Sequence, residues 1–466
     1  MIPMSLAAIA EATGARLGPF TGPAAVAGSV VIDSRQAGAG ALFAALPGER
    51  VDGHDFAVAA VERGAVAVLA SRPVGVPALI TPDVPAALAA LSRAVTAALP
   101  GLTIVGITGS VGKTTTKDLA AQLIERLGPT VAPYGSFNNE IGHPLTVLRV
   151  TADTRYLVLE LSARGAGHIA QLCAIAPPRI GVVLCVGHAH TGEFGGLAAV
   201  ARAKGELPAA LPPDGVALLN GDDPLVLAMA ERTAARVVTF GTDPRATVRA
   251  DGVTVGSDGR ATFTLVTPAG TASVKLRLLG AHNVVNALAA AALAGELGLP
   301  VADVAEGLSA ATNRSKWRME VTERPDGVTV INDAYNANPE AMAAALDTLA
   351  TVARGRRSFA VLGPMNELGG ESRHWHEQAG GLAARAGVAG LIVVGDDAAP
   401  MLSGAKAERS WHGELIGVPD AGSAVAALGN LLGPGDVVLV KASRAAGLER
   451  VALALTGEAA TGEAAQ

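Results

Sequence analysis

Leu102-Thr103-Ile104-Val105-Gly106-Ile107-Thr108-Gly109-Ser110-Val111-Gly112-Lys113-Thr114-Thr115-Thr116-Lys117-Asp118 decides the reading of this chain. An apolar run of strand length enters a glycine-containing loop, and a helical pattern, TTTKDLAAQLIERLG, leaves it. Strand, glycine loop and helix in that order make a phosphate cradle. Glycine lets the backbone curl until successive N–H groups face phosphate oxygens, and the helix N-terminus adds partial positive charge. Lys113 is placed to reach the β- and γ-phosphates, and the Thr114 hydroxyl to ligate Mg²⁺. The strict G-x-x-x-x-G-K-[ST] spacing is not met: its first position falls on Ile107, and Gly106 stands one residue early. Thr108, Gly109, Ser110, Val111, Gly112, Lys113, Thr114 and Thr115 are the candidate nucleotide-loop residues.

Outward from the loop, YLVLELS, RIGVVLCV and GVALLN are further continuous apolar runs between residues 156 and 220. Such runs suit strands buried on both faces of a parallel sheet. Residues 246–279 alternate apolar and polar and predict antiparallel hairpins, followed by a strong helix, AHNVVNALAAAALAGELG. A boundary falls near 312–320. Beyond it GVTVINDA, SFAVLG, GLIVVG and DVVLVKAS alternate with helical patterns, a second doubly wound unit. Before the loop, VVIDS, ALFAAL, AVAVLA and PALIT are short strands of a smaller α/β unit, and Pro100-Gly101 is the predicted hinge. The N-terminal MIPMSLAAIAEATG reads as an amphipathic helix ending at Gly14; Glu11 inside it and the lack of a basic start argue against a signal peptide. The expected fold class is α/β with three domains: residues 1–99, small α/β; 100–314, central, with a mostly parallel sheet; 315–466, Rossmann-like, with a frayed tail.

Composition narrows the function classes. The 466 residues are 50% hydrophobic and 17% charged, which excludes a disordered polar chain. A mean hydropathy of +0.38 owes much to alanine, and no apolar run is long enough for a membrane span. Net charge is −6, with no basic cluster beyond Arg356-Arg357, so no nucleic-acid partner is expected. Cys173 and Cys185 make neither a disulfide framework nor a metal spacing, and a reducing cytoplasm is the expected compartment. At the carboxyl end of the run YLVLE, Glu160 suits a hard-cation ligand beside the phosphate loop.

The stretch G-I-T-G-S-V-G-K-T-T-T-K-D resembles the nucleotide loop of the Mur ligases, which join amino acids or a dipeptide to a cell-wall precursor. Phe137-Asn138-Asn139-Glu140-Ile141-Gly142-His143-Pro144-Leu145 and Asp333-Ala334-Tyr335-Asn336-Ala337-Asn338-Pro339 resemble motifs of the branch that adds D-alanyl-D-alanine. The D-N-P-R motif of a sister branch is absent, and the matches run from about residue 30 to 445. The resemblance implies ATP-dependent ligation through an acyl phosphate, with a UDP-linked muramoyl tripeptide and D-alanyl-D-alanine as substrates, in the last cytoplasmic step of a peptidoglycan precursor. It implies ATP, two Mg²⁺ ions and a monomeric enzyme.

The same resemblance implies roles for single residues. Glu160 would bind Mg²⁺, although Ser162 replaces the glycine of the family's E-x-G. His190 in Ala189-His190 would meet a second Mg²⁺, with Leu184-Cys185 where relatives have Thr-Asn. Lys204 would carry a carbamate from CO₂ and so act as a carboxylate toward metal. Asn283, Asp333, Tyr335 and Asn336 would meet the nucleotide, Asn283 with His282 also reading as an N-cap pair. Arg318 would clamp a phosphate, with Trp317 where the family often has glycine. Lys441, Ser443 and Arg444 would receive the dipeptide, with Ala442 replacing a glycine, and Pro364 is atypical in its loop. Asn138 and Asn139 belong to the substrate side, and Ser34, Arg35 and Gly48 would hold the UDP end. The rival readings are a folylpolyglutamate-type ligase of the same superfamily and a phosphate-loop regulatory protein; the latter lacks a GTPase N-K-x-D motif.

Overall fold

The computed structural model describes residues 1–18, 25–48, 51–188 and 191–457. The predicted first helix is present as Leu6–Thr13, capped by Ser5 and closed by Gly14 in the left-handed region. The short apolar units after it build a five-stranded sheet in the order Arg16–Leu17, Ala78–Ile80, Ala65–Ala70, Ala41–Ala44, Val30–Val31. All pairings in it are parallel except the first.

The quoted stretch forms the strand Thr103–Thr108 and the helix Lys113–Ile124. That strand lies inside a nine-stranded sheet, flanked in parallel by Tyr156–Glu160 and Ile180–Val183. Chain order reverses at this strand, which opens a crevice at the carboxyl ends of its neighbours. Register fixes what reaches the crevice: Glu160 pairs with Ile107, and Val183 with Thr108. The alternating region does form antiparallel strands, Val248–Val255, Arg260–Thr267 and Gly270–Leu279, but they extend this same sheet rather than stand apart. The helix Asn283–Glu296 packs on the helix Lys113–Ile124 with an almost wholly buried, alanine-rich surface.

The last sheet has the order Glu320–Glu323, Thr329–Asn332, Val437–Lys441, Ser358–Leu362, Gly390–Val394, Glu414–Val418, parallel after its first pair. Val437–Lys441 is inserted between earlier strands, so a second crevice opens at its carboxyl end. Among the described residues no helix is long and apolar enough to cross a membrane.

The core does not break at Pro100-Gly101. Leu88, Leu91 and Val95 of the helix Val84–Ala97 share one buried cluster with Val147, Leu157, Ile169 and Leu172 of the central sheet and its helices. The Ser92 hydroxyl reaches Leu88 O at 2.8 Å and Pro144 O at 3.3 Å across the same seam. Beside Pro144, His143 is fully buried, and among the described residues neither of its ring nitrogens has a hydrogen-bond partner. Burial pushes it down to about 4, with the Leu172 backbone working weakly the other way. The folded state therefore holds it neutral, whereas the unfolded chain titrates near 6.5. Its contribution is complete above pH 6.5 and is lost as pH falls toward 4, by about 3 kcal/mol at the lower limit. Urea unfolding between pH 7 and 4 should show this loss in the native chain and not in His143→Leu.

Candidate active site

The two crevices face each other across one cavity of about 790 Å³. The phosphate loop, Glu160 and the Asn138 segment form one wall; Arg318, Tyr335, Asn336, Lys441 and Arg444 form the other.

Gly112 opens the loop helix at φ 82°, and a Cβ there would collide with the Asn286 side-chain oxygen. Only glycine meets both demands. Lys113 Nζ donates to Gly109 O at 2.7 Å, arching over the loop. Burial lowers its pKa and nearby Glu160 opposes that shift. The Thr114 hydroxyl donates to Glu160 Oε2 at 3.0 Å, lies 2.8 Å from Ser136 Oγ, and accepts from Arg318 Nη2 at 2.9 Å. Asn138 Nδ2 donates to Glu160 Oε1 at 2.7 Å. Glu160 is thus a buried carboxylate whose hydrogen bonds come from a hydroxyl and an amide, with no ion pair among the described residues. Buried carboxylates are normally paired or bind metal, and an oxygen-only set of this kind fits a hard cation. Among the described residues no group of three His, Cys, Asp or Glu side chains converges as a metal cluster.

Arg318 also donates to Ser136 Oγ at 3.0 Å and stacks over the Tyr335 ring at 4.1 Å. Its Nε is buried and has no acceptor among the described residues. A guanidinium with a spare buried N–H, facing a phosphate loop, suits an anion that is not part of the chain.

Lys204 is buried at the end of the helix Leu197–Lys204, outside the cavity wall. Burial, and secondarily the Lys113 ammonium, push it down to about 7, with Cys185 opposing. Its amine is therefore neutral for a substantial fraction of molecules at neutral pH. His190 lies outside the described residues, as do Glu49 and Arg50 of the first unit.

Several of the other expected residues have their polar groups engaged within the chain. Thr108 does not face the cavity; it is fully buried and its hydroxyl donates to Leu161 O at 2.9 Å, tying two strands together. Gly109 likewise serves through its carbonyl to Lys113. Asn283 lines the cavity, yet its amide is engaged by Leu279 O and Asn286 at 2.7 and 2.8 Å, and neither it nor His282 caps the helix with a side chain. The Lys441 ammonium is buried against Asp333 Oδ2 at 2.5 Å and Asn336 O at 2.9 Å. Asp333, in turn, is held by that ammonium and by Met319 N. Ser443 Oγ accepts from Asn366 N at 2.9 Å. Arg444 pairs with Glu449 at 2.9 Å and covers the Trp317 ring at 4.4 Å. Asn139 uses its side chain to accept from Gly142 N at 2.8 Å, which fixes the turn carrying Asn138. Ser34, Arg35 and Gly48 lie on the first sheet's side, away from this cavity; Arg35 is exposed and paired with Asp33 at 2.7 Å.

Sequence reasoning missed Ser136, Asn286 and Glu340. Ser136, two positions before Asn138, had no motif to mark it. Asn286 was legible, since Asn283 and Asn286 are three apart on one helix face. Glu340 Oε1 accepts from His188 N at 2.8 Å and faces its Nδ1 at 2.7 Å, and so joins the two walls.

The Mur ligase middle-domain family model matches residues 107–294, the glutamate-ligase-domain model residues 317–444, and the Mur ligase catalytic-domain model residues 28–100. A curated relative from Mycobacterium tuberculosis, named UDP-N-acetylmuramoyl-tripeptide–D-alanyl-D-alanine ligase, is 49% identical over 98% of both chains. An Escherichia coli protein of the same name is 37% identical over 92% of this chain and 93% of its own. A MurF crystal structure from Acinetobacter baumannii superposes with a TM-score of 0.86 at 30% identity, over 98% of this chain and 99% of its own. A MurF structure from Thermotoga maritima in complex with ADP gives 0.78 at 30% identity, over 92% and 97%.

Since Lys441 and Asp333 balance one another in a nearly closed site, removing one partner leaves the other charge buried. Lys441→Met should lower unfolding free energy by about 3 kcal/mol. Arg245→Met, at an exposed pair with Asp243, should change it by less than about 1 kcal/mol. Chemical denaturation of both variants checks the contrast.

Proposed function

Because the chain belongs to the Mur ligase family, and within it to the branch that adds D-alanyl-D-alanine, we infer an ATP-dependent amide ligase. It joins D-alanyl-D-alanine to a UDP-N-acetylmuramoyl-tripeptide and converts ATP to ADP and phosphate. The observation that carries this is end-to-end identity of 49% with a relative of that activity, in a chain whose loop, Glu160 and Arg318 meet at one hydroxyl.

A carboxylate is a poor electrophile because the oxide it must expel is too basic. Transfer of the terminal phosphoryl group of ATP to a tripeptide carboxylate oxygen gives an acyl phosphate and ADP. The dipeptide amine then forms the C–N bond, the C–O bond to phosphate breaks, and the amine proton is released. Lys113 and Arg318 neutralise charge on the transferring group, and Tyr335 holds the guanidinium plane from behind.

Thr114 and Glu160 would hold Mg²⁺, and His190 with carbamylated Lys204 a second ion. Bound there, Mg²⁺ supplies charge neutralisation between phosphate and carboxylate. The lowered pKa of Lys204 suits carbamylation, since the neutral amine adds to CO₂ and releases one proton. Residues 1–99 would take the UDP end with Ser34, Arg35 and Gly48. Residues 100–314 would take ATP on the loop Gly109–Thr115, and residues 315–466 the dipeptide beside Ser443 and Arg444. Asn138 would face the tripeptide, and Tyr335 and Asn336 the nucleotide. A cytoplasmic monomer fits this chemistry, whose substrates are small and water-soluble.

Coupled ADP release with UDP-N-acetylmuramoyl-tripeptide should require D-alanyl-D-alanine and should not proceed with glutamate in its place; the reverse preference would point to the folylpolyglutamate-type reading. Lys113→Ala should reduce kcat by at least about a hundredfold with an unchanged circular-dichroism melt. Lys204→Arg, which keeps the charge and cannot carry a carbamate, should lose activity on a similar scale, as read by product formation with added bicarbonate.

A further inference from the structure

The segment joining the central and last sheets is fastened along one face of the loop helix. Gln122 donates to Thr312 O at 2.9 Å and accepts from Thr312 N at 3.2 Å. Arg314 forms two bonds to Glu125, at 2.5 and 2.6 Å. Asp118 Oδ2 accepts from Ser315 N at 2.9 Å, and Arg318 ends the row at Thr114. Positions 114, 118, 122 and 125 follow helical spacing, so a single stripe carries all the ties. Asp118 is itself secured by Lys117 at 2.5 Å, a buried pair whose ammonium also reaches Pro133 O.

At the end of this strap the backbone is strained. Trp317 has φ 59° and Met319 φ 52°, so the left-handed region is occupied by side-chain-bearing residues on both sides of Arg318. Such conformations persist where the surroundings over-determine them, and here they do. Trp317 N donates to Glu320 Oε2 at 3.2 Å, and Trp317 O accepts from Tyr335 N at 3.2 Å. Arg318 O accepts from Asn313 Nδ2 at 2.6 Å, and Met319 N donates to Asp333 Oδ1 at 3.1 Å. The indole is covered by the Arg444 guanidinium. Glycine would adopt this φ freely; tryptophan needs the cover.

We propose that Trp317 is a positioning residue for the ligation step: held between the strap and Arg444, it keeps the left-handed turn that aims Arg318 at the Thr114 end of the phosphate loop. The proposal rests on the reading of Arg318 as a partner of the transferring phosphoryl group. It makes Arg444 part of the same support through its stacked face.

Steady-state kinetics on the full chain separate the possibilities. Trp317→Ala keeps the unfavourable φ and loses the cover, so kcat should fall roughly tenfold, while KM for ATP stays within about twofold. Trp317→Gly removes the conformational penalty and should restore kcat to within about threefold of the native chain, and Trp317→Phe should do so by keeping a ring under Arg444. In the double variant with Arg318→Ala, Trp317→Ala should cause no further loss, because it acts through that arginine. A Trp317→Ala enzyme of native kcat overturns the proposal. So does a Trp317→Gly enzyme as slow as the Ala variant, which would mean the indole itself meets substrate, or additive loss in the double variant. Arg318→Ala alone tests the underlying reading: full activity there removes Arg318 from the chemistry whatever Trp317 does.

Discussion

The hydroxyl of Thr114 is the point on which the site's geometry depends. It gives its hydrogen toward Glu160 and takes one from Arg318, and Ser136 lies within bonding distance. Those partners come from the neighbouring parallel strand, the junction to the last sheet and the loop before Asn138. A threonine side chain has little freedom when its backbone is the first turn of a helix, and that helix begins at the one φ its glycine must supply. The loop helix therefore acts as the datum against which the buried Glu160 carboxylate and the Arg318 guanidinium are both placed.

Around this atom the structure segregates charge by commitment. Lys441 is paired with Asp333, and Arg444 with Glu449, each in the wall of the cavity. Lys113 rests on a carbonyl, and among the described residues the buried Arg318 Nε–H has no acceptor. Buried cations already neutralised by the chain rigidify a wall; those held by neutral oxygens retain charge for a ligand. The distinction leaves uncompensated positive charge on the loop side and not at the outer end of the last sheet.

Much of this was legible from sequence because parallel sheets demand long apolar runs, and such runs end at their functional edge. Glu160 could be placed at a strand end from YLVLE alone, and the loop from its strand and helix. What escaped was decided by distant pairing. Nothing local marks Lys441 as Asp333's counter-ion, since the two are 108 positions apart and adjacent only because Val437–Lys441 inserts beside Thr329–Asn332. Ser136 is anonymous for the same reason. The alternating strands of residues 248–279 showed their hairpins correctly, but alternation says nothing about which sheet edge they join. The helix Val84–Ala97 read as part of the first unit, whereas its apolar face is shared with the second.

Three departures from the family pattern make identifiable contacts with neighbouring residues. Ala442, where a glycine is usual, is fully buried and faces Gly363, where a Cβ would come within 2.8 Å of the alanine methyl. Pro364 forfeits an N–H but offers its carbonyl to Ser443 N at 2.9 Å, keeping that loop in place. Cys185 accepts weakly from Val111 N at 3.4 Å through sulfur. A site whose geometry is set by backbone placement around Thr114 accepts such exchanges as long as the loop, the strand end and the strap still converge.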